Sequence, residues 1–546
     1  MLDRRLFLGG AIGMLAGCQA PPAQELPQPL DLGVDAHVHL FNGRDVPVRG
    51  FLRQVILPSR ESPVPPGTPL ASLAELIVQV LRAGTPSAAA ELAGVPRRGP
   101  AEQEQSLAAG IDAFSAGIGD AAPQARMAEP GRDDALLLAM LIAEAQGGAV
   151  APLASGRQPV PAMTGDELAR LILHGPEGAS VARRWGATAT GGLVATMRWA
   201  GLLTLGRRDL LDEALRLYRG RVTGQIQVLI ASMVDLEHWL DSARADARWM
   251  SPLDDQIALM SHLARDRRDA LVLNFAPFCP LRAVVEGPAT LRRVQAAVLE
   301  QGFAGVKLYP PMGFRASCND GIGFGHTRHK TGVSGRQIDA ELQRLYAWCA
   351  EAEVPIQAHA NDSMAAGRGT GAYASPVYWP QVLARYPGLR LNLSHAGHVL
   401  GMAGDAPPPV CGIRSERDWL AVIARMIGSG QQVWFDTGFW TELALEPRNR
   451  DAAVQRLHAL EASHAPGKLA ARMLYGSDWS MIARLPGHAG YHVGMEEFVW
   501  QLYPERERRQ GVMGGNALGF VLGSARHRAR LARFHAGNEV WRRHLA

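Results

Sequence analysis

From residue 225 onward the sequence alternates between short β-type runs and helical stripes, a rhythm that restricts the chain to very few folds. Strand-like segments lie at 226–235, 270–275, 303–309, 354–359, 389–395, 432–436 and 472–478. Ser334 and Gln337 have the spacing of a capping box, and Ile338, Leu342, Leu345, Tyr346 and Cys349 follow on one helical face. Trp419, Ile423, Met426 and Ile427 form another such face. The stretch from Leu32 to Asn42 adds a strand near the start of the chain. Eight strands alternating with helices predict an α/β fold, a TIM-type (β/α)8 barrel, whose working residues sit at the C-terminal ends of the strands.

Side chains two apart on a strand leave the same face, so His37 and His39 project together from the opening strand. Two neutral imidazoles at that spacing suit a divalent metal, and they equally suit an exposed edge strand. The later strands weigh toward the metal. His359 ends the fifth strand, His395 the sixth and Asp478 the eighth, and Lys307 lies on the fourth. In a closed barrel these ends surround one mouth. Asp436, ending strand seven, is a further candidate for substrate contact, and His398 reads as a structural or rim residue.

Residues 45–224 interrupt the alternation. Ala, Gly, Pro and Leu dominate there, with helical stretches at 71–83, 134–146 and 209–219 and no internal repeat. This segment reads as a large, mostly helical insertion between strands one and two. The barrel proper is then 31–44 together with 225–546. Because the insertion leaves from the mouth side, it is expected either to cap the metal or to fold along the barrel wall. Arg198 and Arg207, or Arg183 and Arg184, are its candidates to reach the pocket.

Composition narrows the function. Apolar content of 47% and charged content of 20% are those of a globular enzyme. A net charge of +4 with no long basic run gives nucleic-acid binding no support, leaving a small-molecule substrate as the expected partner. Arg4-Arg5-Leu6-Phe7-Leu8 resembles a twin-arginine export signal, and the apolar run after it, ending at Leu15, is too short to span a bilayer. Leu15-Ala16-Gly17-Cys18 resembles a lipobox in which Cys18 is lipidated, and a Pro-rich linker occupies 19–30. The expected location is the periplasmic side, lipid-anchored, with Gln19 favouring the outer membrane. Cys279, Cys318, Cys349 and Cys411 match no zinc pattern; disulfides are permitted in an exported protein but are not implied by these positions.

Six motifs carry a family resemblance. They are Asp35-Ala36-His37-Val38-His39, the run from Gly305 to Gly313, Gln357-Ala358-His359-Ala360, Leu393-Ser394-His395-Ala396-Gly397, Tyr475-Gly476-Ser477-Asp478, and Gly514-Gly515-Asn516-Ala517-Leu518. Together they resemble the amidohydrolase superfamily, in particular the amidohydrolase-related branch that includes aminocarboxymuconate-semialdehyde and resorcylate decarboxylases. The resemblance implies His37, His39, His359 and Asp478 as ligands of one divalent metal, with zinc the expected ion. It implies that His395 is catalytic and that Lys307 contacts substrate or groups behind the ligands. In other branches a lysine at this place is carbamylated and bridges two metals.

Asp478 is then also the expected base, taking a proton from metal-activated water as it attacks an amide, ester or lactone carbonyl. His395 is expected to hydrogen-bond the carbonyl oxygen. Two alternatives stand beside hydrolysis: a metal-dependent non-oxidative decarboxylase of an aromatic or muconate-type acid, and an inactive metal-bound envelope binding protein. Hydrolysis is preferred because a lipid-tethered exported enzyme suits the processing of incoming or envelope material. A scaffold, moreover, has no need of buried, unpaired imidazoles.

Overall fold

The computed structural model describes residues 32–59, 64–119, 129–146, 163–175, 192–218, 226–240, 244–329, 332–404 and 406–546. The leader, Cys18, the linker, Arg183 and Arg184 lie outside these residues.

Eight parallel strands form one sheet in sequence order. They are β1 (Gly33–Val38), β2 (Ile226–Ser232), β3 (Leu271–Pro277), β4 (Gly305–Leu308), β5 (Ile356–His359), β6 (Leu391–Ser394), β7 (Val433–Asp436) and β8 (Met473–Leu474). The register runs Leu229↔Val272, Phe275↔Gly305, Val306↔Ile356, Ile356↔Leu391, Leu391↔Val433 and Phe435↔Met473. β8 is far shorter than its apolar run suggests, and the backbone beyond it closes the ring. Ala36 N donates to Tyr475 O at 2.9 Å, Asp478 N donates to His37 O at 2.8 Å, and Val38 bridges Trp479. The expected (β/α)8 barrel is the observed one.

Helices between the strands follow the stripes in the sequence. Ser334 Oγ accepts from Gln337 N, Gln337 Oε1 accepts from Ser334 N at 2.9 Å, and the helix Gly335–Glu351 buries Ile338, Leu342, Leu345, Tyr346 and Cys349. The two ends of the barrel differ. At the end where strands begin, the helices Asn516–Leu522, Ala525–His535 and Glu539–His544 form a lid of their own. Phe520, Leu531 and Trp541 join an apolar cluster with Val34, Leu271 and Leu474. His527 Nε2 donates to Ala304 O at 2.8 Å, and Asn538 Nδ2 to Ala270 O at 2.9 Å, just before β4 and β3. The opposite end carries the strand-to-helix loops and the candidate site.

Among residues 45–224 the described elements are almost all helical, the longer ones being Leu70–Gly84, Pro100–Gly119, Glu129–Ala145, Gly165–His174, Leu193–Leu202 and Arg207–Leu217. Leu193–Leu202 packs against the turn Met481–Arg484 that follows Asp478, and Ala88–Leu92 packs against Leu253–Asp266, the helix leading into β3. Arg207 is fully buried and pairs with Asp45 and Glu91, tying the insertion to the segment that leaves β1. No described helix is long and apolar enough to cross a membrane.

Candidate metal centre

The candidate side chains meet because the backbone turns at the ends of the strands. His37 lies within β1, His39 just beyond it, and His359 is the last residue of β5. His395 follows β6 and Asp478 lies four residues past β8, which corrects the expectation that these two end their strands. Both adopt positive φ, 70° and 62°, which no strand accommodates. Such a backbone costs about 1–3 kcal/mol and persists where surrounding contacts hold it. Here the Asp478 amide is bonded to His37 O, and the His395 amide to Asp436 Oδ1 at 3.0 Å.

Three electron-rich atoms converge at the centre. His37 Nε2 is 3.2 Å from His39 Nε2 and 3.6 Å from Asp478 Oδ1, and His39 Nε2 is 3.3 Å from the same oxygen. The far ring nitrogens assign the tautomers. His39 Nδ1 lies 2.7 Å from Ser232 O, a carbonyl that can only accept, so Nδ1 carries the proton. His37 Nδ1 faces Asp436 Oδ1 at 3.3 Å. Burial raises the Asp436 carboxyl, but His37 and His395 outweigh it and hold the group ionised, so His37 also carries its proton at Nδ1. Burial, and then the Lys307 charge, push the His37 imidazolium down to about 3, so the ring is neutral.

His37 Nε2 therefore aims a lone pair at the carboxylate, and His39, its Nδ1 held by Ser232 O, turns Nε2 toward the same oxygen. Burial raises Asp478 as well, yet His39, His37 and His395, where they carry a proton or charge toward it, bring it down to about 2. Its Oδ1 is buried and has no well-formed hydrogen bond. Imidazoles oriented from behind by a carbonyl and a carboxylate, and facing a carboxylate oxygen without a well-formed hydrogen bond, fit a divalent cation. Among the described residues, His37, His39 and Asp478 form one of two groups close enough to share an ion.

The second such group, His37, His395 and Asp436, serves a different purpose. There His37 presents its protonated Nδ1, and Asp436 Oδ1 already accepts from the amides of His395 and Gly438, both at 3.0 Å. Asp436 Oδ2 accepts from Asn392 Nδ2 at 2.8 Å and Gln357 Nε2 at 3.3 Å. Asp436 thus stands behind His37 and lines no part of the mouth, which corrects its expected contact with substrate. Lys307 lies on the ligating side of His37, its Nζ 3.1 Å from His37 Nε2 and 3.4 Å from Ser394 Oγ. Burial lowers its ammonium to about 8. That ammonium and a metal compete for one lone pair.

His395 Nδ1 donates to Gly438 O at 2.8 Å, and Nε2 faces His359 Nδ1 at 3.1 Å. Burial favours the neutral ring, so Nε2 is an acceptor. The expected hydrogen bond from His395 to a carbonyl oxygen needs a proton on that nitrogen, and the observed partners reverse the polarity. His359 stands in the same cleft rather than in the tight group of three, with Nε2 buried and without a partner. The Tyr309 ring lies 4.6 Å from its ring.

A cleft opens above these residues, with His39, His359, His395 and Asp478 in its wall. Phe51 is the one described residue of the insertion that lines it. Arg198 instead donates to Gly175 O at 2.7 Å, and Arg207 is held by Asp45 and Glu91, so neither reaches the cleft. His398 bonds Asp362 Oδ1 at 2.8 Å at the rim. Sequence reasoning missed Gly438: a Cβ there would sit 2.8 Å from His37 Nδ1 and 2.9 Å from Asp436 Oδ1. Its place two residues after Asp436 was the available signal. Gln357 and Asn392, both pointing at Asp436, were missed as well.

A parallel barrel with imidazoles and a carboxylate gathered at the C-terminal strand ends is a TIM-type barrel carrying a candidate metal centre. Within it, residues 255–521 match the family model described as amidohydrolase, just under half of the chain, beginning after β2 and so leaving out His37 and His39. Solved structures similar to this chain include a 5-carboxyvanillate decarboxylase from Novosphingobium aromaticivorans complexed with manganese, at 13% identity and TM-score 0.35, covering 63% of this chain and 91% of that one. Another is an amidohydrolase from Burkholderia multivorans with bound zinc, at 14% identity and TM-score 0.32, covering 54% and 84%. A third is an uncharacterized TIM-barrel protein from Bordetella bronchiseptica, at 15% identity and TM-score 0.34, covering 58% and 83%. No curated protein matches the sequence.

Proposed function

We propose that this chain is a metal-dependent hydrolase of the amidohydrolase family, acting on an amide, ester or lactone carbonyl with one zinc ion held by His37, His39, His359 and Asp478. The observation that carries the reading is the convergence of two imidazole Nε2 atoms and a carboxylate oxygen, each ring held from behind by Ser232 or Asp436. The match of residues 255–521 to a metal-dependent family supports it. Two imidazoles with carboxylate oxygen suit zinc. A single ion fits because the second group shares His37 and spends its lone pairs on hydrogen bonds.

Bound there, such an ion supplies Lewis acidity and lowers the pKa of its water from 15.7 to about 7. The protein supplies the rest. Asp478, ionised at neutral pH, takes the proton and returns it to the leaving group. His395, neutral and accepting at Nε2, is a second proton acceptor on the same wall, and the fixed Nδ1–H bond to Gly438 O keeps its ring turned toward the cleft. Lys307 positions His37. The apolar walls exclude bulk water from the reacting carbonyl.

The location follows as part of the same proposal: export by the twin-arginine signal and anchoring through Cys18 on the periplasmic side. Cys318 and Cys411, unassigned from sequence, are joined in a disulfide, a bond that persists in oxidising compartments.

Metal analysis of the purified full chain tests the site. We expect one zinc per chain, loss of metal in His37→Ala, His39→Ala and Asp478→Ala, and ester or lactone turnover that a chelator abolishes and zinc restores. Two metals per chain would overturn the single-ion reading, and turnover indifferent to chelation would overturn the mechanism.

A further inference from the structure

We propose that the substrate presents an uncharged, apolar body, aryl or branched alkyl, to this cleft, and that Phe41, Phe51, Val234, Leu236 and Phe439 select it. The inference rests on the metal-dependent hydrolase reading and concerns what that site admits. The wall beside the ligands is aromatic and continuous. Phe41 meets His39 edge-on with ring centroids 6.4 Å apart, and Phe51 meets Phe41 edge-on at 6.1 Å. Val234 and Leu236 extend it from the loop after β2, and Phe439 closes the far side from a backbone of φ 63°.

Beyond the site residues and the Tyr309 hydroxyl, the polar lining consists of Asn361 and Ser363, and Asn361 Oδ1 is occupied by the Ser363 amide at 3.0 Å. No lysine or arginine is among the described lining residues. Lys307 Nζ is held against His37 Nε2 and Ser394 Oγ, and Arg484 stacks 5.8 Å from the Phe439 ring, neither of them lining the cleft. A carboxylate on the substrate body would thus be taken out of water against phenyl and alkyl groups, a costly burial without a paired charge. Among the described residues the cations Lys307 and Arg484 lie outside the cleft lining, and a metal bound there would be taken up by the scissile carbonyl. A neutral aryl group instead gains edge-to-face contacts with Phe41 and Phe51.

Binding to the zinc-loaded full chain, measured by calorimetry, tests this without requiring turnover. The probes are benzohydroxamate and 4-carboxybenzohydroxamate, which share a metal-binding head and differ in the charge on the ring. We expect the neutral probe to bind at least about ten-fold more tightly. Phe51→Ala should weaken it about 2–10-fold with zinc content unchanged, and Phe51→Leu should recover part of that loss. Equal or tighter binding of the carboxylated probe, or no binding of either, overturns the proposal. Selective binding of the neutral probe together with failure to hydrolyse any aryl ester or lactone would instead count against the hydrolase reading alone.

Discussion

The Asp436 carboxylate receives five hydrogen bonds, from the His37 ring, the His395 and Gly438 amides, Gln357 and Asn392. Those bonds leave it no capacity for a ligand and fix the His37 tautomer. Asp436→Ala should therefore lower zinc affinity by about 10–100-fold without removing any ligand, measured by competition with a chelating dye; unchanged affinity would mean the carboxylate is only structural. Asp478→Asn keeps the side chain's size and removes both the charge and the proton acceptor. Its kcat should collapse far more than KM changes, and activity within a few-fold of the parent would place the base elsewhere. The identities of His37, His39, His359, His395 and Asp478 were legible from their positions after apolar runs. Their tautomers were not, because each depends on a backbone carbonyl or carboxylate supplied from a distant strand.

At the scale of elements, the strands and their helices followed from periodicity, whereas the packing of the insertion did not. Its helices at 70–84 and 207–217 were visible as stripes, but their docking was invisible, because amphipathic faces specify burial and not the partner. Arg207, a candidate for the pocket by charge alone, proves to be a buried link between the insertion and Asp45, just past β1. Removing one partner of a buried ion pair typically costs 3–5 kcal/mol, so Arg207→Ala should destabilise by about that much. Urea unfolding of the metal-free protein reads this out, and a loss below about 1 kcal/mol would show that the pair is solvated. Phe51 shows the same limit from the other side: a phenylalanine six residues past Asp45 looks like any core residue until tertiary packing brings it to Phe41.

For the whole molecule, the disulfide and the buried histidines set the dependence on conditions. Cys318 and Cys411 are 93 residues apart and join the loop after β4 to the loop after β6. On the chain-entropy account, closing a loop of that size stabilises by about 4–5 kcal/mol. Reduction, or Cys318→Ser with Cys411→Ser, should lower Tm, and an unchanged Tm would show that the bond carries no stability. Burial lowers His527 to about 3 and both His535 and His492 to about 4. Each is neutral in the folded state and takes up a proton on unfolding below pH 6.5, so its contribution is complete above 6.5 and shrinks toward 3–4 by about 1.36 kcal/mol per pH unit. Asp35, raised by burial to about 7, opposes them, because its folded state holds the proton as the pH rises from 3.8. With His37, itself lowered to about 3, these histidines outweigh Asp35 and predict a urea midpoint that falls as the pH drops from 6.5 to 4; a flat or rising midpoint would contradict the buried neutral histidines.

By itself the sequence determined the barrel and the helical character of the insertion, because hydrophobic period and capping are local properties written every few residues; the candidate ligand set came from the motifs' family resemblance. Tertiary structure decided what non-local contacts alone can decide. Ring closure runs through the backbone after a two-residue β8, Cys318 pairs with Cys411, and Asp436 faces His37 rather than the mouth. The polarity of His395 belongs with them. A histidine's place after a strand is a property of its own segment, but the proton it carries is set by Gly438, 43 residues away.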